Sequence, residues 1–175
     1  MQTEQIVEVR SHLLSVIRGL IEREDVKEKL AKGKDRASEW EQPDFVWYEL
    51  LLSFATMGNA RGKHGLIDNL ENFKRVQFSM LAQLGSTESR LEELRAVLHA
   101  AKVRMPEKKA AWLSAAFDRI AAMGGPTRAK AELEKRKGRE GKSEFWREFD
   151  GIGEKYSRNI MMDIYHPEFR NSIVS

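Results

Sequence analysis

There is no cysteine anywhere in the 175 residues. That excludes a disulfide framework, an iron–sulfur cluster and a thiolate zinc site. Histidine is scarce, and its four copies are too scattered to form a ligand cluster, so no metal site is expected. The chain also lacks an uninterrupted apolar run long enough to span a membrane. Its N-terminus is polar and has no continuous apolar core of the kind a signal peptide needs. A reducing compartment is therefore expected, cytoplasmic and nucleoid-associated or else nuclear, with no secretion and no membrane partner. Strand pairs with hairpin chemistry are missing, and so is any internal repeat at a fixed period.

What remains is helical pattern and uneven charge. Hydrophobic residues make up 41% of the chain, enough for a sizeable core. The net charge is +3. Residues 1–100 carry 14 Lys and Arg against 16 Asp and Glu, whereas residues 101–175 carry 16 against 11. A basic second half favours an anionic partner, nucleic acid among the candidates, although a mildly basic surface alone would read the same way.

Ile6, Val9, Leu13, Val16, Ile17 and Leu20 recur at helical spacing. The polar stretch "AKGKDRASEWEQ" breaks that pattern, and Pro43 with Asp44 opens a second helix. That helix, "FVWYELLLSFATM", is apolar on most sides and should be central and buried. "GNARGKHG" reads as an exposed loop. A third helix is expected over about Leu66–Leu84, and Ser86 or Thr87 can cap a fourth. Leu91, Leu94, Val97, Leu98 and Ala101 would form its buried face. Pro106 opens another helix with Leu113, Phe117 and Ile120 as its stripe, closed by "MGG". Pro126 restarts the chain into a charged stretch, read as a solvated helix ending in a loop. Ser143 then caps a short helix, and Tyr156, Ile160 and Ile164 line a last one that Pro167 ends. The expected fold is all-α, with about eight helices and short connections.

The segment "FDGIGEKYSRNI" carries the sharpest chemical signal. A Gly-Ile-Gly turn between two helices lets the backbone take positive φ and approach a ligand. Ile152 can anchor the turn in the core. The second helix then presents free N–H groups and a positive dipole end, a ready site for phosphate. Lys155 lies in the first turn of that helix, where the dipole opposes a cation and favours the neutral amine. A neutral lysine amine is a nucleophile for Schiff-base chemistry. The plainer reading, a glycine turn that only packs and a surface lysine, fits the same letters.

"FWREFDGIGEKYSRNIMMDIY" resembles the helix–hairpin–helix element of the HhH-GPD superfamily of base-excision DNA glycosylases, which includes endonuclease III and the 8-oxoguanine glycosylases. Lys155 falls where the bifunctional glycosylase and AP-lyase members carry their catalytic lysine. "WYELLLSFATMGNARG" resembles the family's buried helix and following loop. The stretch around Lys109–Ala110 is similar to its basic loop and next helix. The resemblance covers roughly residues 43–174 and is specific only at the hairpin. It implies an HhH-GPD-like domain over 43–175, with 1–42 as an N-terminal helix and linker belonging to a second lobe.

The resemblance further implies base flipping from double-stranded DNA that holds a damaged or mismatched base. Gly151, Ile152 and Gly153 would grip a phosphate, and Asn59 and Arg61 would fill the gap in the stack. Trp112, Phe117 and Trp146 could touch a base, or simply be core. No cofactor is implied beyond room for a monovalent cation at the hairpin. The family's catalytic aspartate follows the lysine after an apolar run. Here "NSIVS" reaches that point, so either Ser175 stands in its place or the aspartate would come next, and the second is the expectation. Asp163 and Glu168 do not fall at the motif's acid position. The alternative is a non-catalytic helix–hairpin–helix module that grips DNA without cutting it. Neither the lesion nor the oligomeric state is encoded in these motifs.

Overall fold

A computed structural model describes residues 2–58, 61–164 and 169. The described residues are all-α, with no strand among them. They form eleven α-helices and one 3-10 helix, where the sequence suggests about eight.

The helix α1 (Gln2–Ile21) is followed by α2 (Glu24–Asp35) and a 3-10 turn (Arg36–Glu41). The polar stretch read as a break is thus largely helical. Glu24 and Asp25 sit in the first turn of α2, where acids complement the dipole. Trp40, 4% exposed, leaves the 3-10 turn to pack edge-on against Phe45 and Phe169.

The helix α3 (Phe45–Thr56) is the centre of the molecule, as its pattern predicts. Phe45, Trp47, Leu50, Leu51 and Phe54 are each 0–1% exposed. It touches the 3-10 turn, α4 (Arg61–Leu66), α8 (Pro106–Ala122), α9 (Pro126–Lys135) and α11 (Glu154–Asp163). The Trp47 indole donates to the Val76 carbonyl at 2.8 Å, so its polar edge is satisfied inside the core.

Two loop and helix expectations fail between residues 58 and 84. "GNARGKHG" is not a loop where it is described: it enters α4, with Gly62 and Leu66 buried. A side chain at Gly62 would strike the Ala55 carbonyl, and one at Gly65 the Ala101 carbonyl. These glycines serve close packing of helix on helix, not an exposed turn. The long helix expected over Leu66–Leu84 is broken into α4, α5 (Leu70–Arg75) and α6 (Phe78–Ala82). Asn69 causes one break, its side chain accepting from the Glu71 and Asn72 N–H groups.

The helix α7 (Thr87–Ala100) starts at Ser86, whose hydroxyl accepts from the Ser89 N–H. It packs along α8, which opens at Pro106 as expected. The turn between them is tight: Lys102 and Met105 take φ of 54° and 55°. A further correction concerns Ser143, which does not cap a helix. The helix α10 begins earlier (Gly138–Arg147), and Ser143 is buried within it, its hydroxyl 2.9 Å from that of Ser157 on α11.

Lys109 is 0% exposed. Its ammonium donates to the Phe54 and Met57 carbonyls at 2.7 and 2.8 Å, capping the end of α3 from α8. Burial, with Arg104 nearby, pulls its pKa from 10.5 down to about 8. Below pH 8 the folded and unfolded chains both hold the proton. Between about 8 and 10.5 only the unfolded chain does, so this residue makes stability rise with pH across that window. Lys109→Met should remove that rise and, by orphaning two buried carbonyls, cost about 1–3 kcal/mol in denaturant melts.

Candidate nucleic-acid interface and cleft

The hairpin is built from α10, the turn 148–153 and α11. Phe145, Trp146 and Phe149 bury the α10 side, each at most 2% exposed. The Ile152 N–H donates to the Phe149 carbonyl at 3.1 Å, and the Ile152 side chain is 4% exposed. Burying such a side chain contributes roughly 1.5–3 kcal/mol, which ties the turn to the core.

The two glycines differ in role. Gly151 has φ +83°, and a Cβ there would lie 2.5 Å from the Trp112 ring. It is glycine for both reasons at once. Gly153 has φ −89°, and a Cβ there would meet nothing within 4 Å. Its lack of a side chain leaves open space over the N-terminus of α11, which no side chain caps. Exposed Lys155 follows in the first turn, its Nζ 5.8 Å from the centre of the Tyr156 ring.

Lys155 also borders a cleft of about 740 Å³. One wall is α11, through Lys155, Tyr156, Asn159, Ile160 and Asp163. The other is α3, through Tyr48, Glu49, Leu52, Ser53 and Thr56. Glu39, Gly58, Lys63, Ile67 and Asp68 close it. Asp68 is engaged already: Lys63 bonds it at 2.6 Å and His64 at 2.8 Å. The Lys63 hydrogen bond is the main reason its carboxyl is held below the usual range.

One exposed cation stands at the aromatic contact of the hairpin and another at one end of the cleft. Lys108 sits 5.0 Å from the centre of the Trp112 ring, against which Gly151 packs. Arg104 packs on Gly58, at φ +97°. Arg61 is exposed at the start of α4, close in sequence to Gly58 but outside the cleft lining. Asn59 and Ser175 lie outside the described residues, as does Glu168.

Of the aromatic candidates, Phe117 and Trp146 are core, at 4% and 0% exposure. Trp112 is half-buried and stacked on Phe54. No group of three or more His, Cys, Asp or Glu able to hold a metal occurs among the described residues.

Several residues of the site escape the sequence patterns above. Glu49, 1% exposed, is the one carboxylate inside an otherwise apolar helix, an oddity that the sequence does display. Asn159 and Asp163 follow Lys155 at successive intervals of four, one face of a helix. Met105 is 47% exposed at positive φ on the turn before α8, a strain no periodicity reveals.

Comparison with models of known families, with curated proteins and with solved structures returns no match for this chain.

The contrast between the glycines is measurable. Gly151→Ala should destabilise the protein by about 2 kcal/mol in thermal or urea melts, through strain and the Trp112 clash. Gly153→Ala should change stability by less than about 0.5 kcal/mol, yet weaken any ligand held at the α11 N-terminus.

Proposed function

We propose that this chain acts in base-excision DNA repair, as a DNA glycosylase with AP-lyase activity. One observation carries the reading: Lys155 stands both in the uncapped first turn of α11 and on the edge of a cleft large enough for an extruded base. A DNA phosphate would bind the N–H groups beyond Gly153, helped by Lys108 and Arg104. Exposed Met105, on the same turn as Arg104, would enter the stack as an apolar wedge, and exposed Arg61 is a further candidate for that role. The flipped nucleotide would then place its sugar at Lys155.

The chemistry is Schiff-base chemistry. The Lys155 amine attacks the sugar C1′ as the C1′–N bond to the base breaks, and the base leaves with the electron pair and takes up a proton. The ring opens to an iminium between Lys155 and C1′, and loss of a C2′ proton expels the 3′ phosphate. The cleft walls would hold the base beside the reacting carbon. A helix–hairpin–helix module that only grips DNA would use the same N-terminus. The placement of Lys155 on the cleft favours the enzyme.

Borohydride reduction of the protein with duplex DNA bearing an abasic site tests this. The wild-type chain should form a covalent adduct, and Lys155→Ala should reduce it by at least about a hundredfold while keeping DNA affinity within about threefold. No adduct from the wild type, with DNA binding intact, would leave only the binding module. Affinity should fall steeply with salt in either case.

A further inference from the structure

We propose that α1 is an interaction surface, and that it pairs antiparallel with the α1 of a second copy of this chain. The proposal does not depend on the glycosylase reading. Ile6, Val9, Leu13, Val16 and Leu20 follow one another at alternating intervals of three and four. That is the seven-residue repeat by which helices pair. Val7, Leu14 and Ile21 recur every seven residues beside them and widen the stripe. All eight, together with Ile17, are 44–67% exposed.

A surface helix owes most of its stability to the packing of its apolar face. The described residues leave this face open. The helix α1 packs chiefly on α2, which has 12 residues against 20 and leaves all nine aliphatic side chains in contact with water. Together these nine residues expose roughly 900 Å², where a lone soluble chain usually shows at most a few hundred Å² of joined apolar surface. A stable dimer needs about 800 Å² from each partner, so two such stripes are enough for one interface.

The composition of the stripe points to a like partner. It is wholly aliphatic, and α1 has no aromatic residue. Transient contacts between unlike proteins rely on Trp, Tyr and Arg anchors, whereas the permanent interface of a homodimer resembles a domain core. Helices that lie on lipid carry a basic polar face. The two arginines of α1 are balanced by two glutamates. Antiparallel pairing sets the Glu8 end of one helix against the Arg18 end of the other and opposes the two dipoles. A two-fold axis then relates the copies, and each stripe covers the other.

Sedimentation equilibrium of the 175-residue chain, from about 1 to 100 μM, tests this. The mass should approach twice the 20.2 kDa of one chain. Leu13→Glu with Val16→Glu places charge in the middle of the stripe and should weaken the dimer at least about tenfold. Both side chains are exposed in the single chain, so the core stays intact, which a melting curve verifies. Leu70→Glu, at a side chain 69% exposed on α5, should leave the dimer unchanged. The chain has no cysteine, so introduced thiols report the pairing directly. A mixture of Ile6→Cys and Leu20→Cys chains should form the mixed disulfide in air faster than Ile6→Cys links to itself.

A single-chain mass over the whole range overturns the proposal, as does a dimer that survives the paired Glu substitutions or is weakened equally by Leu70→Glu. Cosedimentation of a single-chain form with vesicles of phosphatidylcholine and phosphatidylserine does the same, and assigns the stripe to lipid. Faster self-linking of Ile6→Cys overturns the antiparallel arrangement.

Discussion

The ammonium of Lys109 at the end of α3 is the contact on which the functional geometry depends. A helix leaves its last carbonyls without partners, and at the end of α3 both Phe54 and Met57 are buried. Lys109 reaches across from α8 to the Phe54 and Met57 carbonyls and fixes the two helices relative to each other. One turn further along α8, Trp112 stacks on Phe54 at 5.7 Å between ring centres. The six-membered ring of that indole is the surface against which Gly151 packs. The position of the hairpin, and of Lys155 beyond it, thus descends from a buried lysine far away in sequence. The cost is a cation without water, visible in its lowered pKa.

The hairpin is rigid on its inner side and bare on its outer side. Ile152, Phe149 and the Ser143–Ser157 hydrogen bond hold the inner side, and the Ser157 hydroxyl also bonds the Glu154 carbonyl at 2.9 Å. Among the described residues, none comes within 4 Å of where a Gly153 Cβ would lie. Such a division suits the proposed DNA contact, because binding would then cost little ordering of the protein. The two glycines look alike in sequence and do opposite things: one admits a neighbour from within, the other leaves room for a partner from outside.

Periodicity makes much of this legible. The buried α3, the Ser86 and Pro106 helix starts, the "MGG" stop and the all-α class all follow from local rules that the packing does not overrule. The failures share a cause. Gly62 and Gly65 look like loop residues because glycine is favoured in turns, but here it is required by helices whose backbones touch. Ser143 looks like a cap because serine caps helices, but its partner is Ser157, fourteen positions away. The stripe Ile6 to Leu20 does lie on a helix, yet these side chains are 44–67% exposed, with α1 packed chiefly on α2. Lys109 as a cap, and the cleft itself, depend on contacts across more than fifty residues, which no local pattern carries.

The placement of the cleft also explains why recognition and chemistry need not compete. Every group proposed to meet the base stands on α3 or α11 or next to them, and α3 is the most deeply packed element of the fold. Every group proposed to meet the DNA backbone or the stack stands on a turn or a helix start: Arg61, Arg104, Met105, Lys108 and the hairpin. Sites on rigid helices hold geometry to fractions of an ångström, whereas turns tolerate substitution. Under the proposed reading, affinity for DNA could therefore be altered at those turns without disturbing the distance from Lys155 to the opposing α3 wall. The reverse does not hold. A change in α3 reaches Gly151 through Phe54 and Trp112, and so shifts Lys155 as well as the cleft wall opposite it.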